Sequence, residues 1–320
     1  VVDAASERLG RPLDLIAESD LNDPKTVTPV EQGGLGMDAQ WADDVHHALH
    51  VALTRDTRGY YADFEDPGAL AKTLTGAFFH DGQFSSFRGR DWGAPVDRKV
   101  VPGHRFVAYL QTHDQVGNRA VGDRIHHSLT PGQHAIGAAL YLLSAFTPML
   151  FMGEEWAAST PWQFFTDFPD PELGRAISEG RRGEFAAHGW SKDEVPDPQD
   201  ASTHQASIVQ WSEVGVGEHR RMLQWYRRLI ALRRSEPALA DGDLAKVEVE
   251  RTPGAGASDG WVVMRRGPFS VVANLDEEPA TIDIGREVTA VTAHFGDLRP
   301  SRSGAHTVRL GGHSVAIVRS

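Results

Sequence analysis

Apolar and polar positions fall into blocks along this chain, and two of the apolar blocks stop abruptly at an acid. Residues 13–19 read Leu13-Asp14-Leu15-Ile16-Ala17-Glu18-Ser19, and residues 106–114 read Phe106-Val107-Ala108-Tyr109-Leu110-Gln111-Thr112-His113-Asp114. Each has the pattern of a buried strand that ends in a carboxylate. Further strands are expected at 35–41 and 148–153, with helical patterns at 1–9, 42–54, 67–79 and 132–144. Strands alternating with helices predict βα units around a parallel sheet. Met222, Trp225, Tyr226, Leu229 and Leu232 recur at helical spacing between arginines, which predicts an amphipathic helix packed along that stripe.

Two stretches interrupt the alternation. Residues 80–104 are rich in Gly, Ser and Arg, and residues 156–215 mix aromatics, prolines and charges. The second reads as an extended loop over the carboxyl-terminal face of a barrel. After Glu236-Pro237 short alternating runs appear at Ala245–Arg251, Trp261–Arg266, Phe269–Asn274 and Val315–Val318, parted by Gly, Asp and Pro turns. The expected fold class is therefore α/β. About four barrel strands over residues 1–238 make half of a TIM (β/α)8 barrel, and residues 239–320 make a small all-β sandwich domain.

Composition narrows the function classes. The 320 residues are 40% hydrophobic and 24% charged, ordinary for a globular protein. A formal net charge of −12 argues against a nucleic-acid or anionic-membrane surface. The absence of cysteine excludes disulfides and thiolate metal sites. No long uncharged apolar run predicts a transmembrane helix, and a cytoplasmic location is expected. The opening Val1-Val2-Asp3-Ala4-Ala5 is neither a signal peptide nor a natural start, so an amino-terminal truncation is expected.

Paired carboxylates at strand ends suit glycoside hydrolysis. Glu18 follows Leu15, Ile16 and Ala17, so a dry base is expected, which would keep its proton available for a leaving oxygen; a surface or salt-bridged Glu is the competing reading. Asp114 stands in a polar cluster with His113, Gln115, Asn118 and Arg119, suited to gripping sugar hydroxyls, or simply capping a loop. His46 and His50 lie one helical turn apart, but with no glutamate between them sugar contact or helix capping suits them better than a metal. No cofactor or metal is expected. Phe84, Phe87 and the aromatics of 156–168 offer flat faces for sugar rings or for plain packing.

Taken together, these motifs resemble the α-amylase family, glycoside hydrolase family 13. Ile16-Ala17-Glu18-Ser19 resembles the acid–base position after the fifth barrel strand, His113-Asp114 the transition-state-stabilising position after the seventh, and Gly153-Glu154-Glu155 the turn after the eighth. Longer strings resemble the maltooligosyltrehalose trehalohydrolase branch: Ala17–Pro24, Trp41–His50, Gly59–Asp63, Ser86–Gly89, Met152–Trp156 and Thr160–Phe165. Thr112 departs from the wider family, which has Asn there. The resemblance implies cleavage of the α-1,4 bond next to a terminal trehalose, releasing trehalose from maltooligosyl trehalose. It implies Glu18 as general acid and then base, and Asp114 holding hydroxyls at the cleavage subsite with His113 assisting. Phe87 and Arg88 would recognise the trehalose end, and Tyr61, Asp44, His47, Gln115, Glu155 and Trp156 would line the substrate site.

A retaining mechanism also needs an attacking carboxylate about 5–5.5 Å from the acid. In the family this is an Asp two residues after an Arg, upstream of the acid, and no Arg in this chain has an Asp two positions later. The first half of the barrel is therefore expected to be absent, with the missing amino-terminal part of the same enzyme as the chain's partner. Two other readings stand beside this one. One is an amylase-family branching or debranching enzyme, and the other a non-catalytic amylase-like protein that binds sugar or a partner.

Overall fold

The computed structural model describes residues 2–186, 191, 194–253, 260–299 and 305–320. Along the chain its helices are α1 (Val2–Leu9), α2 (Asp43–Thr54), α3 (Ala69–Gly76), α4 (His113–Gly117), α5 (Pro131–Leu142), α6 (Pro171–Ala186), α7 (Ala201–Ala206), α8 (Gly217–Ser235) and α9 (Pro237–Ala240). Its first six strands are β1 (Ile16–Ala17), β2 (Ala39–Trp41), β3 (Gln83–Ser85), β4 (Arg90–Trp92), β5 (Phe106–Ala108) and β6 (Thr147–Pro148). The chain forms two compact units. One holds Val1–Leu110, Gly132–Met149 and Arg227–Ser320; the other holds Gln111–Pro131 and Leu150–Tyr226.

In the first unit a four-stranded sheet runs in the order β1-β2-β5-β6, every pairing parallel. Parallel neighbours need crossovers, and helices supply them between β2 and β5 and between β5 and β6. These helices bury Val45, Leu49, Leu53, Leu70, Leu74, Ile136 and Leu140, and the strand β5 buries Phe106, Val107 and Ala108. The strands are two or three residues long, shorter than the apolar runs predict. Within the sheet β1 pairs only with β2, so Leu15 and Ile16 remain 43% and 52% exposed instead of entering a core.

Among the described residues the same unit contains eight further strands: β7 (Val247–Pro253), β8 (Gly260–Arg266), β9 (Phe269–Asn274), β10 (Ala280–Asp283), β11 (Ala290–Phe295), β12 (Leu298–Arg299), β13 (Thr307–Leu310) and β14 (Ser314–Arg319). They form antiparallel sheets in the orders β11-β14-β9-β8-β7 and β10-β13-β12. Val263, Val272, Ile282, Ile284, Val308, Leu310, Ala316 and Val318 share one buried cluster. Two arginines join this region to the parallel sheet. Arg233 of α8 donates to the carbonyls of Leu142, Ser144 and Phe146, and Arg266 of β8 donates to those of Leu143, Ala238 and Asp241. Carbonyls at the end of α5, which no further helical turn satisfies, thus find charged donors.

In the second unit the stretch expected to be irregular contains α6 and α7, a correction with an identifiable cause. Asp170 accepts from the Glu172 and Leu173 amides at 2.8 and 3.4 Å ahead of a helix that opens on Pro171, and Asp200 caps α7 through the Ser202 amide at 2.8 Å. These are helix-start signals that the aromatic and proline content obscures. Arg124 is fully buried and donates to the Met152 and Thr160 carbonyls at 2.7 Å each, fixing the turn between them. Met222, Trp225, Tyr226, Leu229 and Leu232 of α8 are all buried, as their spacing predicts. Among the described residues no helix is long and apolar enough to cross a membrane.

Candidate active site

In the first unit the site grows from the start of α2. Asp43 and Asp44 occupy its first turn, where the helix dipole favours acids. Asp43 accepts from the Tyr109 hydroxyl. Asp44 is 5% exposed, and its Oδ2 accepts from Asn22 Nδ2 at 2.8 Å, the Phe79 amide at 2.8 Å and the His80 amide at 2.9 Å. His47 Nδ1 and His80 Nδ1 lie 3.8 and 3.7 Å from the same carboxylate, beyond direct hydrogen bonding but close in charge. Burial alone would raise the Asp44 pKa; the two imidazoles and the donors outweigh it and hold the carboxyl well below its usual range.

His80 bridges two acids, with its Nε2 2.8 Å from Asp63 Oδ2. Burial opposes its charge, but Asp44 and Asp63 prevail and its pKa is raised. Asp63, which also accepts from the Ser86 amide at 2.8 Å, is lowered because Ser86 and His80 overcome its burial. The signs fix a pH window. His80 contributes fully below about 6.5 and loses its contribution as pH rises through its raised pKa, whereas the two acids contribute above about 3.9 and fail as pH falls through their lowered ones. Buried His134 of α5 behaves oppositely, its pKa pushed by burial down to about 3. In an NMR titration His80 is expected to gain its proton above pH 6.5, and His134 to stay neutral until about pH 3. Coincident titration of the two rings near 6.5 would contradict this cluster.

Aromatic rings surround the cluster. His47 packs against Tyr60, Tyr61 and Phe64 with ring centroids 6.0, 5.4 and 5.0 Å away. His46 places Nδ1 2.8 Å from the Leu110 carbonyl and Nε2 3.3 Å from the Tyr61 hydroxyl, and His50 stacks on Tyr61 at 4.1 Å. Both His46 nitrogens are thus engaged within the fold. Among the described residues no group of three or more His, Cys, Asp or Glu is placed to hold a metal.

Tyr60 and Phe87 stack at 3.5 Å between centroids, 46% and 49% exposed, and form an open aromatic surface. Arg88, next to Phe87, lies over the Trp92 ring at 4.5 Å and donates to Asp20 Oδ2 at 2.5 Å. Asp44, His47, Tyr61, Phe87 and Arg88 therefore belong to one connected set. Glu18 lies two residues before Asp20, on the exposed loop after β1. The dry base expected for it is not found in this unit. Leu15 and Ile16 border an open sheet edge, so an apolar neighbourhood in sequence gives no burial in space.

In the second unit Thr112 caps α4: its hydroxyl accepts from the Asp114 amide, and Gln115 Oε1 accepts from the Thr112 amide at 2.8 Å and the Thr112 hydroxyl at 2.6 Å. Thr and Asn are both good N-caps, which accounts for Thr112 in place of Asn. The Gln115 carbonyl is spent on this turn. His113 and Asp114 are exposed, and Asn118 Nδ2 donates to Asp114 Oδ1 at 2.6 Å. Arg181 of α6 donates to the Gly117 and Arg119 carbonyls behind them. Glu155 accepts from the Gly153 amide at 3.1 Å. Trp156, expected to face substrate, is instead 3% exposed and packs on Trp211 at 5.2 Å.

Sequence reading passed over Asn22, Asp63 and His80. Asn22 and Asp63 sit inside the strings quoted for the resemblance, but nothing local marks His80, which meets Asp44 from 36 residues away.

No protein-family model matches the chain. It is 48% identical over 317 residues to malto-oligosyltrehalose trehalohydrolase of Mycobacterium tuberculosis, covering 98% of this chain and 53% of that protein. The Arthrobacter ramosus protein of the same name is 48% identical over 318 residues, at 99% and 53% coverage, and that of Rhizobium sp. 50% over 283 residues, at 88% and 47%. The chain thus spans about half the length of these relatives. Among solved structures, a Salmonella typhimurium protein provisionally named an alpha amylase superposes with a TM-score of 0.81 at 31% identity, over 100% of this chain and 54% of that one. The alpha-amylase of H. orenii has a TM-score of 0.55 at 15% identity, over 100% and 55%, and shares the fold. The chain is homologous to the malto-oligosyltrehalose trehalohydrolases, over 98% of its own length and about half of theirs.

Proposed function

We propose that this chain carries the acid–base and sugar-binding part of a retaining glycoside hydrolase that releases trehalose from maltooligosyl trehalose. The sequence kinship supports the reaction class. The observation that carries the substrate reading is the Arg88–Asp20 bond, which ties the Phe87–Tyr60 surface to the loop bearing Glu18. In this reading Glu18 protonates the leaving oxygen and later deprotonates water, Asp114 holds ring hydroxyls with His113 beside it, and Phe87 and Arg88 recognise the trehalose end. Dehydration of the Glu18 carboxyl, which acid catalysis favours, comes from bound substrate and from whatever covers the β1 edge. The attacking carboxylate comes from outside these 320 residues, on an Arg-x-Asp strand that completes a (β/α)8 barrel with residues 1–238; residues 239–320 form the β domain, and the enzyme works in the cytoplasm.

Hydrolysis of this kind runs on water alone, and the residues named suffice for proton transfer and sugar binding. Titration calorimetry with maltooligosyl trehalose, a plain maltooligosaccharide of equal length and a branched glucan tests the reading. The chain is expected to bind the trehalose-ended ligand tighter by about tenfold, or about 1.4 kcal/mol. Preference for the branched glucan would transfer the assignment to a branching or debranching enzyme.

A further inference from the structure

The loop that follows β1 is fastened to the β3–β4 hairpin and the segments flanking it at several points, and the two that reach the hairpin itself pass through Asp20. Its carboxylate accepts from Arg88 Nη2 at 2.5 Å, and its carbonyl accepts from Trp92 Nε1 at 2.8 Å. Two residues on, the Asn22 carbonyl accepts from the Ala94 amide at 2.9 Å, while Asn22 Nδ2 reaches the His80 carbonyl at 3.2 Å as well as Asp44. The Arg88 side chain is only 16% exposed, pressed between Asp20 and the rings of Trp92 and Tyr60 at 4.5 and 5.9 Å. Its Nη2 spends a charge-assisted bond on Asp20 and so joins hairpin to loop, with the guanidinium held beside the aromatic rings. What the hairpin presents outward is Phe87, stacked on Tyr60 of the 59–65 segment, with both rings about half exposed.

From this we infer that Asp20 is a specificity-determining positioning residue. Through Arg88 it makes the aromatic surface and the Glu18 loop a single body, so that the sugar seated on Phe87 decides where Glu18 stands. This rests on the function proposed above. Asp20 touches no reacting atom in this scheme. Its carboxylate fixes Arg88, Arg88 fixes the hairpin turn through its ring contacts, and selectivity for a trehalose end follows from their rigidity. Asp20 is itself 56% exposed, so replacing it removes one charge-assisted bond without opening a core.

The experiment is a double-mutant cycle on the 320-residue chain, titrated with maltooligosyl trehalose and with the maltooligosaccharide of equal length. Asp20→Asn is expected to reduce the preference for the trehalose-ended ligand about tenfold, the loss of one partly exposed charge-assisted hydrogen bond. Adding Arg88→Ala to Asp20→Asn is expected to cost no further selectivity, and Asp20→Glu to recover part of it. An Asp20→Asn chain that discriminates as well as wild type would overturn the inference and leave the functional reading intact. Additive losses in the cycle would also overturn it, since Asp20 would then act otherwise than through Arg88. A wild-type chain that does not separate the two ligands would instead remove the functional reading itself. Thermal melts of Asp20→Asn and Asp20→Glu should coincide with that of wild type, as expected of a surface substitution. A drop would mean that Asp20 supports the fold and would overturn the inference.

Discussion

Purified as it stands, the 320-residue chain is expected to release no trehalose from maltooligosyl trehalose. Glu18 is exposed on the loop after β1 and Asp114 is exposed in the first turn of α4, but no Arg-x-Asp in the sequence supplies a carboxylate to attack the anomeric carbon. An acid without a nucleophile can protonate but cannot form the glycosyl intermediate of a retaining enzyme. A separately expressed segment with an Arg-x-Asp strand, taken from the amino-terminal portion of a relative, is expected to pair with the open β1 edge and restore turnover. In that restored pair Glu18→Gln should lower the rate by about 10²–10⁴, the usual span of general acid–base catalysis. Trehalose measured by a coupled enzymatic assay is the readout. Turnover by the chain alone, or a restored pair indifferent to Glu18→Gln, would refute the assignment.

The weakness of β1 illustrates what could and could not be foreseen. The α8 stripe was legible because Met222, Trp225, Tyr226, Leu229 and Leu232 repeat at one period over a long helix, and that period survives any tertiary context. Strand ends were less so. An apolar run such as 13–19 shows that residues favour extension, but Ile16–Ala17 are the only two that find ladder partners, and burial depends on neighbours that the run does not contain. Hence the dryness expected at Glu18 did not follow from Leu15 and Ile16. The Asp44–His80–Asp63 bridge was illegible for another reason. Its members belong to separate elements and share no spacing, so only the fold assembles them. Trp156 shows the converse: an aromatic in a recognised string need not face ligand, and here Trp211 covers it.

The second large effect concerns Asp44. Asp44→Ala would strand the Phe79 and His80 amides and the Asn22 amide at a buried position, and would leave His80 with Asp63 alone. Deleting one partner of a buried charged pair costs about 3–5 kcal/mol, because the remaining polar groups keep their desolvation penalty. On the order of 10 °C should be lost from the melting temperature of the chain. Asp44→Asn keeps an acceptor of the same shape while removing the charge, so a smaller loss of about 1–3 kcal/mol is expected. The charge component is separable by pH: the gap between wild type and Asp44→Asn should close as pH falls through the lowered Asp44 pKa, where the wild-type carboxyl also becomes neutral. Calorimetric melts taken from pH 8 down through the lowered Asp44 pKa, well below the usual carboxylate range, measure it. Equal stability of Asp44→Ala and wild type near pH 6 would show that the cluster contributes nothing to the fold.

The two arginines at the end of α5 have a different dependence on solution conditions. Arg233 and Arg266 grip peptide carbonyls of 142–146, and Arg266 itself is 2% exposed. Mobile ions screen charges that water reaches and scarcely affect a buried cation held by fixed peptide dipoles. Brine should therefore loosen the half-open Asp20 contact long before it disturbs the seam between the parallel and antiparallel sheets. If loop coupling sets selectivity, ionic strength becomes a dial on ligand choice that leaves the scaffold unturned.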